Sequence, residues 1–224
     1  MLVDPWYYPR GVFNQREPLG LTFRTLPGID AILITDDGGH HLDPRTLATL
    51  AHLDVPVVVP HGLAAPIAAA GYHDVIELDR WETTHIGAIE VVAVPSDHAT
   101  ADNGYVCSAG DVTVYVAGDA RYFDGLAEIA HRFPRIDVAL LPIGGLRFFG
   151  FRMEMAPDDA ARAAALLQPY RVIPTHYGLT APLPIYWTTR EPVAAFRRGL
   201  VLAGVPERSL VVLAPGESWH YYPD

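Results

Sequence analysis

Along this chain, uninterrupted apolar runs alternate with segments in which apolar residues recur every three or four positions, as on one face of a helix. The first run, 29–35, has aliphatic and β-branched residues without polar alternation, which is typical of a buried parallel strand. Pro44 follows it, and Leu47, Leu50 and Leu53 recur at helical spacing, so a helix is predicted to begin there. The same alternation predicts further strands at 55–59, 75–78, 86–94, 105–109, 112–116, 136–141, 172–173 and 210–213, and helices at 62–70, 124–132, from 157 onward and at 191–202.

This order of elements indicates an α/β fold, with one antiparallel hairpin around Gly110 and Asp111. Two segments have no clear period. Residues 1–28 are predicted to form a long loop, apart from a strand end at Leu2 and Val3, and 144–151 form a loop rich in glycine and aromatic residues. We find no linker or repeat, so the prediction is one domain spanning residues 1–224.

Composition narrows the classes of partner. The 16 basic residues are all arginine, and 26 acids bring the net charge to −10. This balance, without a basic stripe, argues against a nucleic-acid partner; the partner we expect is a small-molecule substrate. Cys107 is the only cysteine, which excludes a disulfide framework. The first residues do not resemble a signal peptide, and prolines interrupt the most apolar stretch, 55–70, so we expect a cytoplasmic protein without a membrane span.

Potential metal ligands follow four of the predicted strands. The first strand leads into two acids, two glycines and two histidines at 36–41, and later strands end at His98, Asp119 and His176. Open α/β sheets bind their ligands at the carboxyl ends of strands. A histidine elsewhere in the chain is more often solvated, so this coincidence is what indicates a metal site.

In order along the chain, these motifs resemble the metallo-β-lactamase-fold superfamily of metal-dependent hydrolases. The matching pieces are Leu2-Val3-Asp4-Pro5-Trp6, residues 27–35, Leu42-Asp43-Pro44, Val94-Pro95 with His98, Ala117-Gly118-Asp119 and 173–178. They look most like the branch that contains L-ascorbate-6-phosphate lactonase and the N-acylphosphatidylethanolamine-hydrolysing phospholipase D. The resemblance implies an αββα sandwich that lacks the family's usual first strands, and we expect a homodimer to cover the resulting edge.

The resemblance also implies a set of ligands. Where the family has H-x-H-x-D-H, this chain has Asp36, Gly38, His40 and His41. One of the family's metal positions then corresponds to His40, His41, Asp119 and His176. The other retains His98 and could use Asp36, but Gly38 has no donor, so a single divalent ion is expected. Zinc is favoured, with manganese or iron suited to the same donors.

The sequence leaves three functions open. The first is hydrolysis of an ester, lactone, amide or phosphodiester, with His40 as general base and Asp119 as the second catalytic residue. The second is a catalytically silent relative that acts in binding or assembly, and the third is redox or isomerase chemistry at one iron. Substrate contacts are predicted at Tyr177, as an oxyanion donor, and at Arg147 and Phe149, which would hold an anionic, partly apolar ligand.

Overall fold

The computed structural model describes residues 1–8, 14–15, 17–98, 101–180 and 184–222. The strands are β1 (Leu2–Val3), β2 (Asn14–Gln15), β3 (Ile32–Leu33), β4 (Val57–Pro60), β5 (Val75–Leu78), β6 (Thr83–Ile86), β7 (Ile89–Val94), β8 (Gly104–Ala109), β9 (Val112–Val116), β10 (Val138–Pro142), β11 (Arg147–Phe148), β12 (Phe151–Arg152), β13 (Arg171–Thr175), β14 (Leu179–Thr180) and β15 (Tyr186–Trp187). The helices are α1 (Pro44–Leu50), α2 (Ala64–Ala69), α3 (Gly125–Arg132), α4 (Pro157–Leu167) and α5 (Pro192–Leu202), with short 3-10 turns at Ala51–Leu53 and Glu207–Ser209.

Two main sheets form the middle of the molecule. One is parallel, with the strand order β1-β3-β4-β5, and the other is mixed, with the order β13-β10-β9-β8-β7-β6. In the mixed sheet, β9, β10 and β13 run parallel, whereas β6 to β9 are joined as antiparallel neighbours. Small sheets pair β11 with β12 and β15, and β2 with β14.

Three apolar clusters give the layer order. Leu33 and Val58 of the parallel sheet pack with Ala93 and Tyr105 of the mixed sheet, so the two sheets face each other. Ile32 belongs to the cluster on the opposite face of its sheet, because successive side chains of a strand point to opposite faces. That outer cluster contains residues of α1 and α2, and the outer cluster of the mixed sheet contains residues of α3, α4 and α5. The predicted αββα sandwich is confirmed.

The structure corrects three of the predicted elements. The strand predicted at 86–94 is two strands, since Gly87 adopts a positive φ of 58° and the chain reverses between β6 and β7. The predicted loop 144–151 contains the hairpin of β11 and β12, which turns at Phe149 and Gly150, both with positive φ. The strand predicted at 210–213 is reduced to one bridge between Val172 and Leu210.

The N-terminal prediction is met in part. Leu2 and Val3 form β1, the edge strand beside β3, and residues 17–28 have no regular strand or helix. Asn14 and Gln15 are not loop but pair with β14. The remainder of the predicted loop, residues 9–13 and 16, lies outside the described residues. In the part of the chain that is described, no helix combines the length and the apolar character needed to cross a membrane.

Candidate metal centre

The centre lies at the carboxyl ends of strands from both main sheets. Asp119 follows β9 through Gly118, and His176 follows β13 directly. Gly118 has a φ of 60°, and a Cβ at that position would lie 2.8 Å from the Cβ of Thr35, at the end of the facing sheet. Glycine is therefore required where the two sheets approach each other beside the centre.

Four side chains predicted as ligands come together here. Single donor atoms of His40, His41, Asp119 and His176 all lie within 4.8 Å of one another. From Asp119, Oδ2 is 3.0 Å from His41 Nε2 and 3.4 Å from His40 Nε2, and Oδ1 is 3.4 Å from His176 Nε2. Ligands held tetrahedrally at the usual Zn–N and Zn–O distances are roughly 3.4 Å apart. These donor separations therefore fit a metal ion.

Unpartnered polar atoms support the same conclusion. Among the described residues, His41 Nε2, Asp119 Oδ1 and His176 Nε2 are buried and have no hydrogen-bond partner. Buried polar atoms without partners are rare and costly in folded proteins. Three such atoms that converge on one point are explained if an ion coordinates them, so the residues fit the metal implied by the fold.

Two carboxylates behind the imidazoles, half-buried Asp4 and buried Glu154, orient the lone pairs of the rings. His41 Nδ1–H donates to Asp4 Oδ2 at 2.9 Å, and His176 Nδ1–H donates to Glu154 Oε2. With the proton on Nδ1, the lone pair of each neutral ring lies on Nε2, which faces the other donors. Asp4 and Glu154 are the functional residues that sequence reasoning missed. The sequence comparison did include Asp4, in the motif Leu2-Val3-Asp4-Pro5-Trp6, but it used that motif to recognise the family and assigned Asp4 no role at the site.

The local chain also explains how these acceptors reach the rings. Asp4 adopts a positive φ of 43° directly after β1, and its Oδ1 accepts a hydrogen bond from Thr35 N at 2.8 Å. Glu154 is buried, and its Oε1 accepts from Leu146 N at 2.9 Å. Each carboxylate is thus fixed by a backbone N–H on one oxygen and offers the other oxygen to an imidazole.

The buried carboxylates govern the charge of the imidazoles. Burial alone would lower the pKa of His176, but the carboxylates of Asp119 and Glu154 raise it to about 9. Burial also opposes protonation of His41, yet the surrounding carboxylates raise its pKa well above the usual value. By contrast, burial lowers the pKa of His40 to about 4, so this ring is neutral at neutral pH. The centre therefore favours positive charge, as a cation site should.

A second donor group shares Asp119. Asp36, His98 and Asp119 each offer a donor atom, and these atoms also lie within 4.8 Å of one another. His98 Nδ1–H donates to the Met153 carbonyl at 3.0 Å, which leaves the lone pair of the neutral ring on Nε2. Burial raises the pKa of Asp36 to about 6.

Gly38 makes room for the Asp36 carboxylate. The Oδ1 atom of Asp36 accepts a hydrogen bond from Gly38 N at 2.6 Å, and a Cβ at position 38 would lie 2.7 Å from that oxygen. Side chains larger than hydrogen would displace the carboxylate. The lack of a donor at Gly38 is thus offset by a neighbouring acid.

Of the predicted substrate contacts, only Tyr177 lies beside the centre. It follows His176 and lines a cavity of about 860 Å³ that His176 also lines. Arg147 instead donates to the Gly150 carbonyl within its own hairpin, and Phe149 is 63% exposed at the turn. Neither Arg147 nor Phe149 is among the described residues that line the two cavities at the centre, so this geometry lends no support to their predicted role.

An αββα sandwich that gathers imidazoles and carboxylates at its strand ends is the architecture of metallo-β-lactamase-fold proteins. A family model described as a beta-lactamase superfamily domain matches residues 1–177. A UPF0173 metal-dependent hydrolase of Pyrococcus horikoshii is 34% identical over 199 residues, which is 84% of this chain and 80% of the relative. One from Pyrococcus furiosus is 34% identical over 200 residues, covering 85% and 80%. The chain therefore belongs to the beta-lactamase superfamily and, within it, to the UPF0173 metal-dependent hydrolases.

Solved structures share the fold at lower identity. An isothiocyanate hydrolase from Delia radicum gut bacteria has a TM-score of 0.77 and 18% identity, covering 99% of this chain and 92% of its own. Igni18, a metallo hydrolase from Ignicoccus hospitalis, has a TM-score of 0.72 and 22% identity, covering 88% and 81%. CmlA, a diiron β-hydroxylase from Streptomyces venezuelae, has a TM-score of 0.74 and 20% identity, with 95% of this chain matching 49% of that protein. At these identities the likeness shows the fold alone.

Proposed function

We propose that this protein cleaves an ester, lactone, amide or phosphodiester bond of a small molecule, with a divalent metal ion held by His40, His41, Asp119 and His176. The observation that carries the proposal is the convergence of buried donor atoms without hydrogen-bond partners, at separations that suit metal ligands. Zinc is the ion we favour, because three imidazoles and a carboxylate are typical of its sites, and manganese or iron would accept the same donors.

The chain's own residues have distinct tasks in this proposal. An ion bound here would supply Lewis acidity and lower the pKa of water toward neutrality. Asp4 and Glu154 hold the rings of His41 and His176 in the ligating orientation. His40 has two roles that exclude each other: turned to the ion it is the fourth ligand, and standing off it, with the ion held by the other three side chains, its neutral ring accepts a proton from water as general base. Asp119, whose oxygens lie near all three imidazoles, is a ligand and the second catalytic residue.

The geometry leads us to extend the expected single ion to two positions. The second position uses Asp36 and His98 and shares Asp119 with the first. It has three protein donors instead of four, and one oxygen of Asp36 already accepts a hydrogen bond from Gly38 N. We therefore infer that the second ion binds more weakly than the first.

Metal stoichiometry tests both positions. We expect elemental analysis of protein purified without added metal to find at least one equivalent, and zinc titration to reach two. His98→Ala should remove only the weaker equivalent, whereas Asp119→Asn should weaken both. His85→Ala is the matched control, because His85 is a largely exposed histidine that belongs to neither donor group. Protein that binds no metal would overturn the proposal in favour of a catalytically silent relative.

Turnover tests the chemistry. A panel of esters, lactones, amides and phosphodiesters is incubated with the metal-loaded protein, and we expect at least one class to be hydrolysed. Activity should fall with metal occupancy in Asp119→Asn and persist in His85→Ala. Metal-loaded protein that leaves the whole panel intact would refute the hydrolase assignment. A coloured, iron-containing protein that consumes oxygen would replace it with the redox alternative.

A further inference from the structure

A large cavity opens beside the metal centre. Its volume is about 860 Å³, and it adjoins a smaller one of about 330 Å³ that contains His40, His41 and Asp119. Trp6, Gln15, His176 and Leu179 line both. Small-molecule sites generally occupy about 300 to 1,000 Å³. The larger cavity is therefore of the right size and in the right place to hold the part of a substrate that does not react.

The walls of this cavity are mainly apolar. Leu19, Pro174, Leu179 and Leu213 contribute aliphatic surface, and Trp6 and Tyr177 contribute aromatic surface. Leu19 is 43% exposed, although it is a large hydrophobic residue. Covering exposed apolar surface of this kind with an apolar ligand is favourable, by about 25 cal/mol for each Å² removed from water. The walls thus favour a bulky apolar group.

The charges at the cavity are acidic. Among the described residues that line it, the ionic side chains are the carboxylates of Glu17 and Glu191 and the imidazole of His176, with no arginine. Among the described lining residues, an anionic group away from His176 would meet two carboxylates, and the only cationic position is the metal centre at His176.

One feature of the cavity acts in the opposite direction. The N-terminus of α5 lines it at Pro192, Val193 and Ala194, and a helix N-terminus carries about half a unit of positive charge. Pro192 has no N–H to donate, and Glu191 stands at the N-cap of the same helix. One carboxylate therefore offsets the helix end, and the second remains. Among the described lining residues, the balance away from the metal centre therefore disfavours an anion.

We propose that this cavity binds the non-reacting part of the substrate, and that this part is a bulky apolar group that is uncharged or cationic. The assignment of this group to a substrate rests on the proposed hydrolase function. This apolar group differs from the anionic, partly apolar ligand that the sequence predicted at Arg147 and Phe149. Arg147 is engaged within its own hairpin, and the described ionic side chains of the cavity are mainly carboxylates.

A pair of fluorescent probes that differ by one charge tests the proposal without requiring turnover. N-phenyl-naphthylamine is neutral, and anilinonaphthalene sulfonate has the same aromatic body with one negative charge. We expect the neutral probe to bind the metal-loaded protein at least about 10-fold more tightly than the sulfonate. The double variant Glu17→Gln with Glu191→Gln should reduce this ratio to about 3-fold or less. Equal affinities for the two probes in the unmodified protein would overturn the proposal.

Matched tryptophan substitutions locate the bound probe. Ala194→Trp adds a large ring at an exposed position that lines the cavity, and Val201→Trp adds the same ring at an exposed position of the same helix that does not line it. We expect Ala194→Trp to weaken binding of the neutral probe at least about 10-fold and Val201→Trp to leave it unchanged. Equal effects of the two variants would show that the probe binds elsewhere and would refute the proposal.

Hydrolysis of a matched ester pair separates this proposal from the proposed function. If both probes behave as expected and neither the ester pair nor any other member of the panel of esters, lactones, amides and phosphodiesters is cleaved, the cavity assignment stands and the hydrolase fails. If esters are cleaved with no preference for the neutral apolar member, and Ala194→Trp does not raise its KM, the cavity assignment fails and the hydrolase stands.

Discussion

Glu154 is the most informative residue to change, because it acts on the metal centre only through His176. In Glu154→Gln the side chain keeps its volume but exchanges one carboxylate oxygen for an NH₂ group. In the unmodified protein, one oxygen of Glu154 accepts from Leu146 N and the other accepts from His176 Nδ1. Glutamine has one oxygen and cannot accept from both donors.

Either orientation of the glutamine is unfavourable. If its oxygen stays with Leu146 N, its NH₂ group faces His176 Nδ1, and the ring must shift its proton to Nε2, toward the metal position. If its oxygen turns to His176, the NH₂ group faces the N–H of Leu146 and a buried donor is left unpaired, at a cost of about 1 to 3 kcal/mol. Losses of the partner behind a metal-binding histidine typically reduce metal affinity about 10- to 100-fold. This range corresponds to about 1.4 to 2.7 kcal/mol of metal binding free energy.

Competition with a chromophoric zinc chelator measures this affinity. Glu77→Gln is the control, since the Glu77 carboxylate accepts from Gly62 N and Ala64 N at 2.8 and 2.9 Å and is not in either donor group. It should retain the zinc affinity of the unmodified protein. A folded Glu154→Gln protein that binds zinc as tightly as the unmodified protein would refute the role we assign to Glu154.

Two further predictions concern stability. Burial would raise the pKa of Asp137, but the hydrogen bonds donated by Thr113 N and the Tyr221 hydroxyl, and the Arg135 charge, lower it. The carboxylate therefore stabilises the fold at neutral pH. Asp137→Asn should reduce the free energy of unfolding, measured by urea denaturation, by about 1 to 3 kcal/mol. Because the folded-state pKa is the lower one, this difference should persist above about pH 4 and shrink as the pH falls through that pKa, and a difference that grows in acid would contradict it. Gly118→Ala should cost about 2 to 4 kcal/mol, because alanine would be strained at a φ of 60° and its Cβ would crowd Thr35; Gly110→Ala, with a φ of 56° but open space around it, is the control and should cost less.

Many of the strands were accessible from the pattern of apolar residues, whereas the αββα layer order came from the family resemblance. The parallel strand β5 was predicted with its observed bounds, and β8 and β9 were predicted to within one residue. The strand predicted at 86–94 was wrong because the residues around Gly87 are apolar on both sides, so hydrophobicity did not mark the turn. Only the positive φ of Gly87 and the pairing of Ile86 with Ile89 reveal the hairpin.

The single ion expected from the sequence stays a prediction. It followed from the lack of a donor at Gly38, which treats each motif position independently. In the structure Asp36 occupies the space beside Gly38, and its carboxylate joins His98 and Asp119 in a second donor group. The motif comparison had already named Asp36 as a candidate for this position, but the direction in which its carboxylate turns after β3 is decided by the tertiary structure.

The sequence by itself determined that this protein is an α/β sandwich with its ligands at the strand ends. Apolar runs define the strands and place potential ligands at their ends, and the family resemblance implies which of them, His40, His41, Asp119 and His176, share one ion. Only the tertiary structure decided which carboxylates orient the imidazoles. Asp4 is 37 residues from His41 and Glu154 is 22 residues from His176, and a hydrogen bond between such distant residues depends on side-chain directions that only the packed sheets fix.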